Sequence, residues 1–132
     1  MKALLLVAFG GAGGAILRWA VAGGIEWLVE RSAHPAAAPG SRFPWGILTA
    51  NLLGCLAIGL LYGLAETREW LTDATRWLLF VGFLGSFTTF STFGWNTFEL
   101  IREGHPGLAL GNILASVVLG LLLVAAGYAI GR

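Results

Sequence analysis

The sequence predicts an all-α membrane protein with four transmembrane helices. Hydrophobic residues make up 57% of the chain and charged residues only 11%, against roughly 25% charged in an ordinary soluble domain. The stretches 43–65, 77–98 and 106–131 carry no charge, and a fourth, 3–25, is interrupted only by Arg18. Each is long enough to cross a bilayer, which takes about 20 residues. The connections are short and hold most of the charges together with Pro, Gly and Ser. The expectation is one integral membrane domain over 1–132, with no soluble domain and no enzyme activity. No nucleophile–base pair, phosphate loop or metal-ligand cluster is evident, and Cys55 is the single cysteine. The net charge is +1, and no nucleic acid partner is expected; the surrounding medium is lipid.

The first helix is placed near 3–29. It is not a cleaved signal peptide, because it continues past Arg18 and Lys2 alone makes a weak basic start. Arg18 lies about halfway along it. A guanidinium at that depth needs a partner, a wet cavity or an anion, or it snorkels toward an interface. The loop 30–42 follows, with His34 inside it. The second helix, near 44–66, carries Asn51 at its centre, flanked by Thr49. An amide there is either interhelical glue or a donor to a solute. A charged turn over 65–73 leads to the third helix, near 74–102. Gly104 and Pro106 then punctuate the step to the fourth, near 106–130. On that last helix Asn112 and Ser116 share one face, which Gly120 continues. The pairs Gly10/Gly14, Gly59/Gly63 and Gly107/Gly111 have the small-xxx-small spacing that lets helix backbones approach closely.

Four spans put Lys2, Arg68, Arg76 and Arg132 on one side and Arg31, Arg42 and Arg102 on the other. That is almost no bias, and bias in Lys and Arg normally sets orientation. Either the chain has one orientation set by other features, or it inserts both ways and forms an antiparallel homodimer. Four thin helices hardly enclose a polar path alone, so an oligomer is expected.

The third span holds the most unusual stretch. From residue 85 to 94 there is no aliphatic side chain, only glycine, phenyl rings and the hydroxyls of Ser86, Thr88, Thr89, Ser91 and Thr92. Polar groups at membrane depth persist only when buried in protein or lining a wet cavity. Phe80, Phe83, Phe87, Phe90 and Phe93 recur every three or four residues, the spacing of a helix face. Such a stripe is a packing seam or, among hydroxyls, a row of ring edges; a phenyl edge is electropositive. No carboxylate is central in any span, as proton relays usually require. The deep polar groups are one arginine, amides and hydroxyls, nearly all hydrogen-bond donors. That inventory suits an anion.

Three motifs then carry a resemblance. Gly10-Gly11-Ala12-Gly13-Gly14-Ala15-Ile16-Leu17-Arg18-Trp19 is similar to a Gly-Gly-x-x-Gly-Ala-x-x-Arg-Tyr opening. Gly46-Ile47-Leu48-Thr49-Ala50-Asn51-Leu52-Leu53-Gly54 is similar to Gly-Thr-x-x-x-Asn-x-x-Gly. Gly82-Phe83-Leu84-Gly85-Ser86-Phe87-Thr88-Thr89-Phe90-Ser91-Thr92-Phe93 is similar to Gly-Phe-x-Gly-Gly-x-Thr-Thr-Phe-Ser-Thr-Phe, the most specific of the three. The chain resembles, over essentially its whole length, the CrcB/Fluc fluoride channels of prokaryotes. The resemblance implies an antiparallel dual-topology homodimer with two fluoride pores in the inner (plasma) membrane, and a third helix broken near its centre. It implies Phe90, Phe93, Asn51 and Ser116 at the fluoride path, with Thr89, Ser91 and Thr92 as neighbouring donors, and Arg18 at the vestibule. It also implies a structural sodium ion on the dimer axis, held by the backbone carbonyls of Gly85 and Thr88.

This chain departs from that pattern at several positions. Asn96 stands for a frequent glutamate, Gly94 for a serine, Asn112 for a tyrosine, Ile47 for a threonine and Ser86 for a glycine. The departures bear on route and rate more than on the ion. A proton-coupled fluoride antiporter and a non-transporting membrane assembly protein are the alternatives. A small dual-topology multidrug exporter would want a glutamate in the first span, where this chain has Arg18.

Overall fold

The computed structural model describes residues 1–32, 43–68 and 70–132. His34, Arg42 and most of the first loop lie outside the described residues, as does Glu69 of the second turn. The chain is almost entirely helical. Four helices are long and apolar enough to cross a membrane: Lys2–Ser32, Trp45–Thr67, Asp73–Arg102 and Pro106–Gly131. They fall within a few residues of the spans expected from charge-free length. We label the first two α1 and α2. The third span comprises α3 (73–87) and α4 (Phe90–Arg102), and the fourth is α5 (Pro106–Gly131).

Glycine decides which helices meet. A methyl group at Gly10 would run into the carbonyl of Leu78, and one at Gly14 into that of Phe83. Thus α1 lies backbone to backbone on α3. The same holds for α2 and the second half of α5, where Gly59 faces the Val124 carbonyl and Gly127 faces that of Leu56. Gly46 lies against the Ala22 carbonyl and joins the two pairs through α1 and α2. By contrast, Gly107 has open space around it, and Gly111 meets only the Phe43 ring at 3.8 Å. Close approach gives dispersion contacts in place of the hydrophobic drive that lipid removes. The buried apolar set is accordingly small: Ala22, Leu48, Ala50, Leu84, Phe87, Leu100 and Ala109.

Helix ends follow local chemistry. Thr72 caps α3 by accepting from the Thr75 N–H at 3.2 Å. The end of α4 is a Schellman turn: Gly104 sits at φ 84°, His105 N–H donates to the Leu100 carbonyl at 2.8 Å, and Gly104 N–H to that of Ile101 at 3.1 Å. Pro106 then opens α5 at a position where its missing N–H costs nothing. Two segments wind more widely than an α-helix, Arg76–Leu84 in α3 and Ala115–Leu119 in α5. Both are π-helical, a rare form that is frequent at functional sites. α4 packs on few neighbours. It rests mainly on Pro106–Leu114, and Phe90, Trp95, Phe98 and Ile101 project from it with more than half their surface exposed.

Candidate functional site

Midway along the third span, Thr88 (φ −90°, ψ 156°) and Thr89 (φ −149°, ψ 118°) are extended between α3 and α4. Two extended residues take their backbone groups out of the helical ladder, and each such group must find another partner. Asn51 on α2 supplies it. Its Oδ1 accepts from the Thr89 N–H at 2.8 Å, and its Nδ2 donates to the Thr89 carbonyl at 3.1 Å. The amide thus pairs with Thr89 as a neighbouring strand would. One of its two Nδ2 protons remains uncommitted.

The diversion leaves a mark on α3. In a continuous helix the Thr89 N–H would bond the Gly85 carbonyl, and the Thr92 N–H that of Thr88. Here the first goes to Asn51 and the second goes to Thr89 Oγ1 at 3.3 Å. The carbonyls of Gly85 and Thr88 are therefore without their helical donors, while Gly85 is exposed on the protomer. Thr88 turns its hydroxyl back to the Leu84 carbonyl at 3.0 Å. Among the described residues no group of three His, Cys, Asp or Glu could hold a metal. Backbone oxygen is the cation-binding chemistry this region offers.

On the other side of the interruption, Thr89 caps α4. Its Oγ1 shares protons with Ser91 Oγ at 3.2 Å and Thr92 Oγ1 at 3.1 Å. The N-terminus of α4 carries the positive end of its dipole and the first N–H groups of a new helix. Two ends of opposite polarity thus face each other within one span. Phe90 and Phe93 flank the positive end, their rings 5.6 Å apart and inclined by 41°. Phe90 is 83% exposed. The earlier phenylalanines behave differently: Phe87 is buried and stacks on Phe83 at 6.1 Å, and Phe80 meets Tyr62 edge-on at 4.8 Å. The stripe of rings is a packing seam through Phe87 and opens outward beyond it.

Asn51, Thr89, Ser91, Thr92, Phe90 and Phe93 are thus gathered at one place. The polar face of α5 turns inward: Asn112 and Gly120 are buried, and Ser116 Oγ is buried with no hydrogen-bond partner among the described residues. An orphaned hydroxyl in apolar surroundings costs about 1–3 kcal/mol unless something fills the gap. Arg18 is half-buried on α1 and has no hydrogen bond or ion pair among the described residues. Thr97 is a residue no motif singles out. It is buried, and its hydroxyl bonds the Phe93 carbonyl at 2.7 Å. Its spacing of four from Phe93 is the one sequence signal that marks it.

Residues 5–128 match the family described as "CrcB-like protein, Camphor Resistance (CrcB)". The chain is also similar to proteins named "Fluoride-specific ion channel FluC". That of Chloroflexus aurantiacus is 42% identical over 132 residues, covering 100% of this chain and 97% of that protein. The Methylobacillus flagellatus protein is 42% identical over 128 residues, 97% of this chain and 93% of its own length. In Geobacter sulfurreducens the relative is 39% identical over 132 residues, 100% of this chain and 98% of its own.

Proposed function

Because this chain belongs to the CrcB-like family, we propose that it is a fluoride channel, a multi-pass protein of the inner membrane that lets cytoplasmic fluoride leave passively. The observation that carries the reading is the pairing of Asn51 with Thr89, which stabilises two extended residues and the start of α4 beside Phe90 and Phe93. Fluoride is strongly hydrated, so a pore must replace many water donors at once. The free Nδ2 proton of Asn51, the hydroxyls of Thr89, Ser91 and Thr92, and the orphaned Ser116 hydroxyl are such donors. The ring edges of Phe90 and Phe93 add weak positive potential without a charge that would trap the ion. Arg18, with no hydrogen bond or ion pair among the described residues, raises the local anion concentration at a vestibule.

The same reading calls for a second copy. The outward-facing Phe90 ring has no covering surface among the described residues, which supports an antiparallel homodimer whose partner closes each of two pores. The Gly85 and Thr88 carbonyls, freed of their helical donors, suit a hard cation with oxygen ligands and no carboxylate. Contributed by both copies, they would hold sodium. Bound there, the ion supplies positive charge that offsets the converging carbonyl dipoles.

No energy coupling is required. Hydrogen fluoride enters neutral from acidic surroundings and ionises in the cytoplasm, and the anion leaves down its gradient. The test is fluoride efflux from liposomes, read with a fluoride electrode, for wild type, Phe90→Ile and Phe93→Ile. Wild type is expected to release fluoride and not chloride, and both variants to release it more slowly. Purified wild type that releases no fluoride, or chloride equally well, overturns the reading. Uphill fluoride movement driven by a pH gradient alone would replace a channel with an antiporter.

A further inference from the structure

Asn112 is the most deeply buried polar side chain among the described residues, at 1% exposure. Its Nδ2 donates to Thr97 Oγ1 at 2.9 Å, and that hydroxyl reaches the Phe93 carbonyl at 2.7 Å. The direction is fixed by chemistry. An amide nitrogen only donates, so the Thr97 oxygen accepts, and its own proton goes to the carbonyl. Phe93 oxygen then takes two donors, the helical N–H of Thr97 and this hydroxyl. Neither lone pair is left to present a negative dipole beside the rings. A threonine bonded back four residues also bends a helix slightly, which sets the angle of the turn that carries Phe93.

The location gives this chain of bonds its consequence. Few contacts tie α4 to the rest of the protomer, and two amides hold it. Asn51 grips Thr89 at its start, and Asn112 grips Thr97 two turns later. Phe90 and Phe93 lie between those two points. Burying an amide is costly unless it is hydrogen-bonded, so an apolar residue at 112 would fill the same space without that penalty. What the amide adds is direction.

We propose that Asn112 and Thr97 are positioning residues for the fluoride path: they fix the Phe93 turn and silence its carbonyl, without touching the ion. The proposal rests on the fluoride reading of the Phe90/Phe93 site. The experiment compares fluoride efflux per folded protein for wild type, Thr97→Val, Thr97→Ser, Asn112→Leu and the Val/Leu double variant, with melting temperatures measured on the same samples. Thr97→Val and Asn112→Leu are each expected to lower flux about tenfold, the scale of one buried hydrogen bond. Thr97→Ser keeps the hydroxyl and restores the flux. The double variant loses no more than the worse single one, because both break the same relay. Melting temperature does not track the loss of flux. Wild-type flux in Thr97→Val and Asn112→Leu overturns the proposal. So does a Thr97→Ser variant as slow as Thr97→Val, or losses that multiply in the double variant. Wild type that conducts no fluoride brings down the fluoride reading itself, and that result comes from a different arm of the experiment.

Discussion

Replacing Asn51 by leucine removes both hydrogen bonds to Thr89, the 2.8 Å bond to its N–H and the 3.1 Å bond to its carbonyl. Thr89 is only 9% exposed, so neither group has water to turn to. A buried polar group left without a partner costs about 1–3 kcal/mol, and two of them about 2–6 kcal/mol. The protein has a cheaper escape than unfolding. If Thr89 returns to helical geometry, its N–H can bond the Gly85 carbonyl and the interruption closes. The penalty then appears as a redistribution of backbone conformations, with the site depopulated. Even the lower figure of about 2 kcal/mol corresponds to roughly 30-fold in population, since 1.36 kcal/mol is tenfold. The expected result for Asn51→Leu is a folded, monodisperse protein whose fluoride efflux from liposomes falls about 30-fold or more. Faster hydrogen exchange at Thr89 is not expected, because its N–H acquires a new partner. Wild-type flux from Asn51→Leu would refute the reasoning, as it would mean that the extended residues stand without the amide.

Four further outcomes are expected. Efflux measured with all sodium replaced by N-methylglucamine should fall and recover when sodium is restored; flux indifferent to sodium removes the cation from the Gly85 and Thr88 carbonyls. Gly14→Ala places a methyl group against the Phe83 carbonyl and should cost about 1–3 kcal/mol, as overpacking does, seen as a lower melting temperature. Gly107→Ala, with nothing within 4 Å, should melt as wild type does. Tyr128→Phe removes the 2.5 Å bond to Glu66, a carboxylate also 3.7 Å from Arg132 at the protein's rim. With those groups half exposed, solvent screens the contact, so the loss should read as a small drop in melting temperature with flux unchanged.

The four spans were legible because charge-free length is a property of composition, and the boundaries at Gly104 and Pro106 because their backbone chemistry is local. Partners distant in the chain were not. Asn51 on its own read as interhelical glue, since nothing in the sequence brings it to Thr89, 38 residues away. The structure assigns its oxygen and one of its protons to the backbone and leaves the other free. Glycine spacing had the same limit. Gly10/Gly14, Gly59/Gly63 and Gly107/Gly111 look alike in sequence. Only the first two pairs meet a facing backbone, because a small-xxx-small pattern marks a smooth face without saying what lies opposite. The five rings from Phe80 to Phe93 were a single stripe in sequence. Thr88 and Thr89, extended between the third and fourth of them, divide that stripe: Phe87 before them is buried and Phe90 after them is exposed.

An interrupted span solves a problem that charged side chains solve badly. A lysine at this depth would attract fluoride and then hold it, whereas conduction needs binding weak enough to be left. A helix N-terminus offers only about half an elementary charge, spread over several N–H groups. The cost is that the same interruption frees carbonyls on the other side. Uncompensated, their negative ends would repel an anion a few residues away. In the fluoride reading each pole therefore needs its own occupant, a cation at Gly85 and Thr88 and fluoride near Phe90 and Phe93, and Asn51 keeps the two poles apart. Sodium dependence and the Asn51 variant then probe one device from its two ends. Loss of the amide should weaken sodium dependence along with flux, because a closed ladder returns the Gly85 carbonyl to its helical donor. Asn51→Leu that keeps full sodium dependence in its residual flux would separate the two poles and sink this coupling.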